Sequence, residues 1–138
     1  MHQPDFWRRL FLPAQHLFDY AVFRLVPRVE REEFLNAGVV LFCPERDYLG
    51  ARTYVDERKL LALWPEVDLA CVKSRLIAVT NVAAGNSEAG PLGQLNRRQR
   101  FHWLVSPRST ILQVSPVHTG LCIDPASTLE DLFRQLVL

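Results

Sequence analysis

Two apolar stretches, divided by a proline and a run of charge, limit this chain to an antiparallel start. Between Phe18 and Val26, side chains Phe18, Tyr20, Val22, Arg24 and Val26 point one way, and Asp19, Ala21, Phe23 and Leu25 the other. Pro27 has no N–H for a ladder, so it stops the strand. Arg28-Val29-Glu30-Arg31-Glu32-Glu33 forms a solvated connection. Phe34 to Cys43 is apolar on both faces: Phe34, Val40 and Phe42 lie opposite Leu35, Val39, Leu41 and Cys43. That pattern fits a central strand. Gly38 in its middle implies a bulge or a close backbone approach. After the turn Pro44-Glu45-Arg46-Asp47, Tyr48 to Val55 alternates again, which completes a three-stranded meander.

The period then becomes helical. Asp56 caps a short helix with the stripe Leu60, Leu61, Leu63 and Trp64, ended by Pro65. Asp68 caps a second, with Leu69, Val72, Leu76, Val79 and Ala83 on one face and Gly85 past its end. The Gly-rich run from Gly85 to Gly93 reads as the one flexible loop inside the chain. Gln94 to Val105 fits a helix through Leu95, Phe101, Leu104 and Val105, although Phe101, Trp103 and Val105 also alternate; helix is the reading adopted. Ser109 to Val114 is β-branched and reads as a fourth strand. Asp124-Pro125 opens a last helix, with Ser127 and Glu130 as a second way of capping it. The expected fold is α+β: an antiparallel sheet of about four strands, the N-terminal meander plus one C-terminal strand, with about four helices packed on it.

A chain of 138 residues fits one domain and needs no disulfide or metal staple. The expected division is an N-terminal arm over residues 1–17 and one α+β domain over 18–138. In the arm, Phe6, Trp7, Leu10, Phe11 and Leu12 surround Arg8 and Arg9, so it is expected to dock on its own domain or on a second copy, giving a homodimer through residues 1–17. The arginines split it too early for a secretory h-region. No apolar run approaches the roughly 18–20 residues of a membrane span. Cys43, Cys71 and Cys122 are odd in number and far apart, as buried thiols of a cytoplasmic protein are.

Arg24 is the least comfortable charge, since it sits mid-strand on an apolar face. A turn centred near Glu30 places it opposite Asn36, with Glu32 or Glu33 in reach of the guanidinium. Arg24, Glu33 and Asn36 would then form a polar patch: either a salt bridge and amide that pin the register, or an anion or peptide-terminus site built on the arginine fork. Arg97, Arg98 and Arg100 interleave with Phe101 and Trp103 and are the nucleic-acid candidates. A net charge of +1 and the lack of a recognition-domain motif argue against that use. Arg108 and Ser109 precede the fourth strand, and Ser115-Pro116-Val117-His118-Thr119-Gly120, which follows it, reads as a side-chain-capped loop. No nucleophile elbow, phosphate loop or metal spacing is present, so no cofactor and no catalytic residue is assigned.

The blocks Phe18–Pro27, Arg31–Leu41, Phe101–Leu104 with Pro107–Thr110, and Ser115–Gly120 followed by Asp124-Pro125 resemble a bacterial family catalogued as domain of unknown function 3037. The resemblance covers residues 18–138 and implies no activity. The family's pattern falls on Arg24, Glu33, Asn36, Gly38, Arg108 and Ser109. Its members are often encoded beside a HipA-like kinase, which implies an accessory or regulatory partnership. Three functions follow as expectations. The first is a non-catalytic module acting through a protein partner. The second is a small-ligand binder or enzyme that gathers Arg24, Glu33, Asn36, Arg108 and Ser109 in one pocket. The third is a weak nucleic-acid binder.

Overall fold

The chain's first alternating segment becomes the middle of the sheet. The computed structural model describes residues 13–108 and 110–138. The docking expected of the arm therefore concerns residues mostly outside the described ones, and Ser109 also lies outside them. Strand β1 (His16–Leu25) pairs antiparallel with β2 (Leu35–Cys43), and β2 with β3 (Tyr48–Thr53). Along the other side of β1, two short strands share one lane. β4 (Leu112–Val114) lies opposite residues 23–25, and β5 (His118–Cys122) opposite residues 16–20.

β5 corrects the loop expected after the fourth strand, and that fourth strand is itself shorter than expected. The physical reason lies at the break between β4 and β5. Ser115 N–H donates to Val22 O at 2.8 Å, as a strand residue would. Val22 N–H finds the Ser115 hydroxyl at 2.9 Å in place of a carbonyl, and that hydroxyl donates to Pro116 O at 2.9 Å. One buried side chain thus carries the ladder across a proline kink.

The β1–β2 register slips by one residue: Phe23 faces Gly38, but Arg24 faces Asn36. This is a β-bulge at Ala37, and it swaps the faces of β2 on either side. Leu35 and Ala37 join Val40 and Phe42 on one face, while Val39, Leu41 and Cys43 lie on the other. Leu35 was expected on the opposite face, because simple alternation cannot register an extra residue. Gly38 is there because the backbones approach closely: a Cβ would stand 2.9 Å from Arg52 O and 3.0 Å from Thr53 Cγ2.

Three α-helices cover the first face: α1 (Glu57–Leu63), α2 (Leu69–Ala84) and α3 (Arg97–Leu104). They bury Leu60, Val72, Leu76, Val79, Phe101 and Leu104 against Phe23, Leu25, Val40 and Phe42. The α1 stripe is narrower than expected, since Leu61 and Leu63 remain exposed. Helix α4 (Pro125–Leu136) covers the second face, where Leu129, Leu132 and Leu136 meet Phe18, Val39, Leu41 and Cys43. Asp56, Asp68 and Asp124 cap α1, α2 and α4, and Asn96 with Gln99 makes a reciprocal box on α3. Glu130 takes no part in capping α4; it pairs with Arg52 of β3 at 2.9 Å. The expected flexible run contains the 3-10 turns Ser87–Gln94. The fold is α+β, with five strands in one antiparallel sheet among the described residues.

Replacing Gly38 by Ala should lower the midpoint of urea unfolding without changing the slope, by about 1–3 kcal/mol, because the clash is with backbone that cannot yield.

Candidate functional site

Arg24 lies on the second face, flanked across the ladders by Asn36 of β2 and Gln113 of β4. The register reasoned from the turn therefore holds. The Glu33 contact does not form: the Glu33 carboxylate accepts from Arg31 Nε at 2.6 Å. A partner two residues away and next to the turn wins over one further down the hairpin. Arg24 instead rests its guanidinium over the Phe34 ring, 4.4 Å from the centroid. Phe34 stands just outside β2 and is 47% exposed.

Asn36 faces two ways. Its amide donates to Leu136 O at 3.0 Å and so satisfies one of the last carbonyls of α4. Its Oδ1 is buried with no hydrogen-bond partner, and so is Arg24 Nε. A buried donor and a buried acceptor, both unsatisfied, thus sit on cross-strand neighbours beside a helix C-terminus. That end of a helix favours a cation, which helps hold Arg24 in place. Arg24 makes no ion pair among the described residues.

Arg108 is elsewhere. Its guanidinium stacks on Trp103 at 4.6 Å and donates to Trp103 O at 2.7 Å. Trp103 belongs to α3, so Arg108 is on the first face, with the sheet between it and Arg24. Burial lowers its pKa from the usual arginine value. It lines a small notch of about 160 Å³ with Arg75, Val79 and Leu112. Arg24, Glu33, Asn36 and Arg108 accordingly do not converge on one pocket.

The three nucleic-acid candidates also part company. Arg100 is buried, and it donates from Nη1 to Val82 O at 3.0 Å and Ala83 O at 2.8 Å, and from Nε to Leu95 O at 3.0 Å. It caps the C-terminal end of α2. Gly85, at φ +68°, turns the chain there, and a Cβ on it would strike the guanidinium at 2.6 Å. Arg97 and Arg98 do reach solvent, in an open cleft of about 370 Å³ with Phe42 and Asp47. The Asp47 carboxylate opposes their charge. The phase of α3 would have singled out Arg100, which is next to Phe101 and one turn before Leu104, the residues that mark its buried face.

Residues 20–137 match the family model described as Protein of unknown function (DUF3037). The chain belongs to this family. Neither a curated protein nor a solved structure matches it significantly. The matched span holds the whole Arg24 patch, α1 to α4 and both strands of the outer lane. Among the described residues no three His, Cys, Asp or Glu side chains group as metal ligands, and no helix is long and apolar enough to cross a membrane.

The three cysteines are free. Cys43 and Cys122 are buried under α4, while Cys71 is half-buried, short of the full burial expected. β1 runs between β2 and β5, so the backbones of Cys43 and Cys122 are two strand spacings apart, about 9–10 Å across the sheet, and also out of step along it, beyond the roughly 7 Å reach of a disulfide. Burial, and then the nearby Cys43, raise the Cys122 pKa.

Two outcomes test these assignments. Arg100→Ala should cost about 2–3 kcal/mol in urea unfolding, because charged donors leave buried carbonyls unpaired, whereas Arg97→Ala should stay within about 0.5 kcal/mol. In the native protein, iodoacetamide should modify Cys71 first, and Cys43 and Cys122 only after unfolding, as read by peptide mass spectrometry.

Proposed function

We propose that this domain is a non-catalytic binding module that grips a protein partner through the patch around Arg24. One observation carries the proposal: the Arg24 guanidinium lies over the Phe34 ring without a carboxylate, beside an unpartnered Asn36 oxygen. A fork already oriented by a ring has little rotamer freedom left to lose on binding. The ligand group that suits it is a carboxylate, accepted in the planar two-bond mode. On a protein, that is an Asp or Glu side chain or a chain terminus. The family resemblance adds a HipA-like kinase encoded alongside as the partner to try.

The one-pocket ligand reading has no geometry behind it, since Arg108 is across the sheet and Glu33 is taken by Arg31. The nucleic-acid reading loses Arg100 to the end of α2.

The test is affinity purification with the neighbouring kinase co-expressed, followed by titration of the purified pair. Arg24→Ala should weaken binding about 10- to 100-fold, the worth of one charge-assisted contact of about 1.5–3 kcal/mol. Arg24→Lys should rescue little of it, since an ammonium lacks the fork. Capture of no stable protein partner, or full affinity in Arg24→Ala, would sink the proposal.

A further inference from the structure

The two edges of the sheet are built differently. β3 is guarded: helices pack against it on both sides, Arg52 within it pairs with Glu130, and Glu45, Arg46 and Asp47 crowd its entry. Among the described residues the outer lane is not. Residues 110–123 contain no Asp, Glu, Lys or Arg. Charge is the usual protection against edge-to-edge pairing, and this edge has none.

The direction of the backbone groups follows from β1. Val22 bonds to Ser115, and Val26 N–H to Ile111 O, so even-numbered residues of β1 turn their N–H and C=O toward the outer lane. Phe18 therefore bonds to Gly120, Tyr20 to His118 and His16 to Cys122, their register partners. Thr119 and Leu121 are the residues left over. Their N–H and C=O point outward, away from β1. The side chains around them are exposed and mostly apolar: Leu121 is 59% exposed, its cross-strand partner Leu17 57%, Ile123 49% and Val117 43%, while Asp19 on the same face of β1 accepts from the Thr119 hydroxyl at 2.8 Å.

We infer that two copies of this chain pair antiparallel through the outer edge of β5, about a two-fold axis at Gly120. That register is the one in which the outward groups meet. Thr119 exchanges both bonds with Leu121 of the partner subunit, and Leu121 with the partner's Thr119. Val117 comes opposite the partner's Ile123, so the exposed apolar side chains of both copies join in one stripe. A second copy suits this edge because its outward groups and apolar side chains are self-complementary, because the one carboxylate beside it, Asp19, is already bonded to Thr119, and because no charged side chain stands on the strand to select a foreign segment. The two sheets become one continuous sheet, with the guarded β3 strands at its ends. This interface is separate from the Arg24 patch, which is on the second face.

Sedimentation equilibrium of the full chain, from micromolar to sub-millimolar concentration, should show a species of twice 15.9 kDa. Leu121→Lys, which charges the stripe, and Leu121→Pro, which removes an outward N–H without touching the β1 ladder, should each return it to monomer. Arg24→Ala should leave the dimer intact, so the two proposals fail separately. Amide exchange of the unmodified protein gives a readout that needs no variant. The Thr119 and Leu121 amides should slow as concentration rises, while the Gly120 amide, bonded to β1, stays protected throughout. A chain that is monomeric at the highest concentration, a dimer that survives both Leu121 substitutions, or Thr119 and Leu121 amides that exchange freely in the dimer would overturn the inference.

Discussion

The ladders between β1 and the three strands on its two sides organise everything else. β1 is bonded on both sides, so its alternation decides which residues meet the three-helix layer and which meet α4. The bulge at Ala37 then adjusts that division. Without the extra residue, Asn36 would turn away from Arg24 and from the end of α4. With it, a strand from the first hairpin satisfies a carbonyl of the last helix, 100 residues further along the chain.

Charge serves a second purpose in this protein. Arginine outnumbers lysine 14 to 2. Among the described residues four arginines lie over aromatic rings: Arg24 on Phe34, Arg52 on Phe133, Arg98 on Phe42 and Arg108 on Trp103. A guanidinium is flat and weakly hydrated, so it can cover a ring and still keep its edge in water. Each such contact is worth roughly 0.5–1 kcal/mol at an exposed site. The effect is less to bind the layers than to shield rings at their borders. Arg24 differs from the other three in that its Nε is buried with no acceptor.

The hairpin was legible because its signals are local: Pro27 and the charged run fix the turn, and the turn fixes the pairing of Arg24 with Asn36. The helices were legible through their Asp and Asn caps. The bulge was legible only as an unexplained Gly38, since no composition marks an added residue. β5 was hidden because His118, Thr119 and Gly120 have little strand propensity of their own, and Pro116 breaks the run. Its conformation comes from the open side of β1, a tertiary cause. Arg100 was misread for a similar reason: in sequence it is one arginine of a cluster, and only the packing of α3 against the end of α2 separates it from Arg97 and Arg98. Glu33 shows the opposite bias, a distant contact expected where a near one forms.

The ladder across the Ser115 kink joins residues 93 apart in the chain. Its consequence is temporal. While the chain is being made on a ribosome, β1 and β2 emerge early, but the strands that close the outer side of β1 follow only after all of α1, α2 and α3. Until then the future central strand is an open edge, and α4, which seals the second face, arrives later still. Synthesis at about 5–20 residues per second leaves that edge uncovered for several seconds. The nascent protein thus passes through a stage in which its future centre is its stickiest margin, and its yield in a cell depends on what else can bind there first.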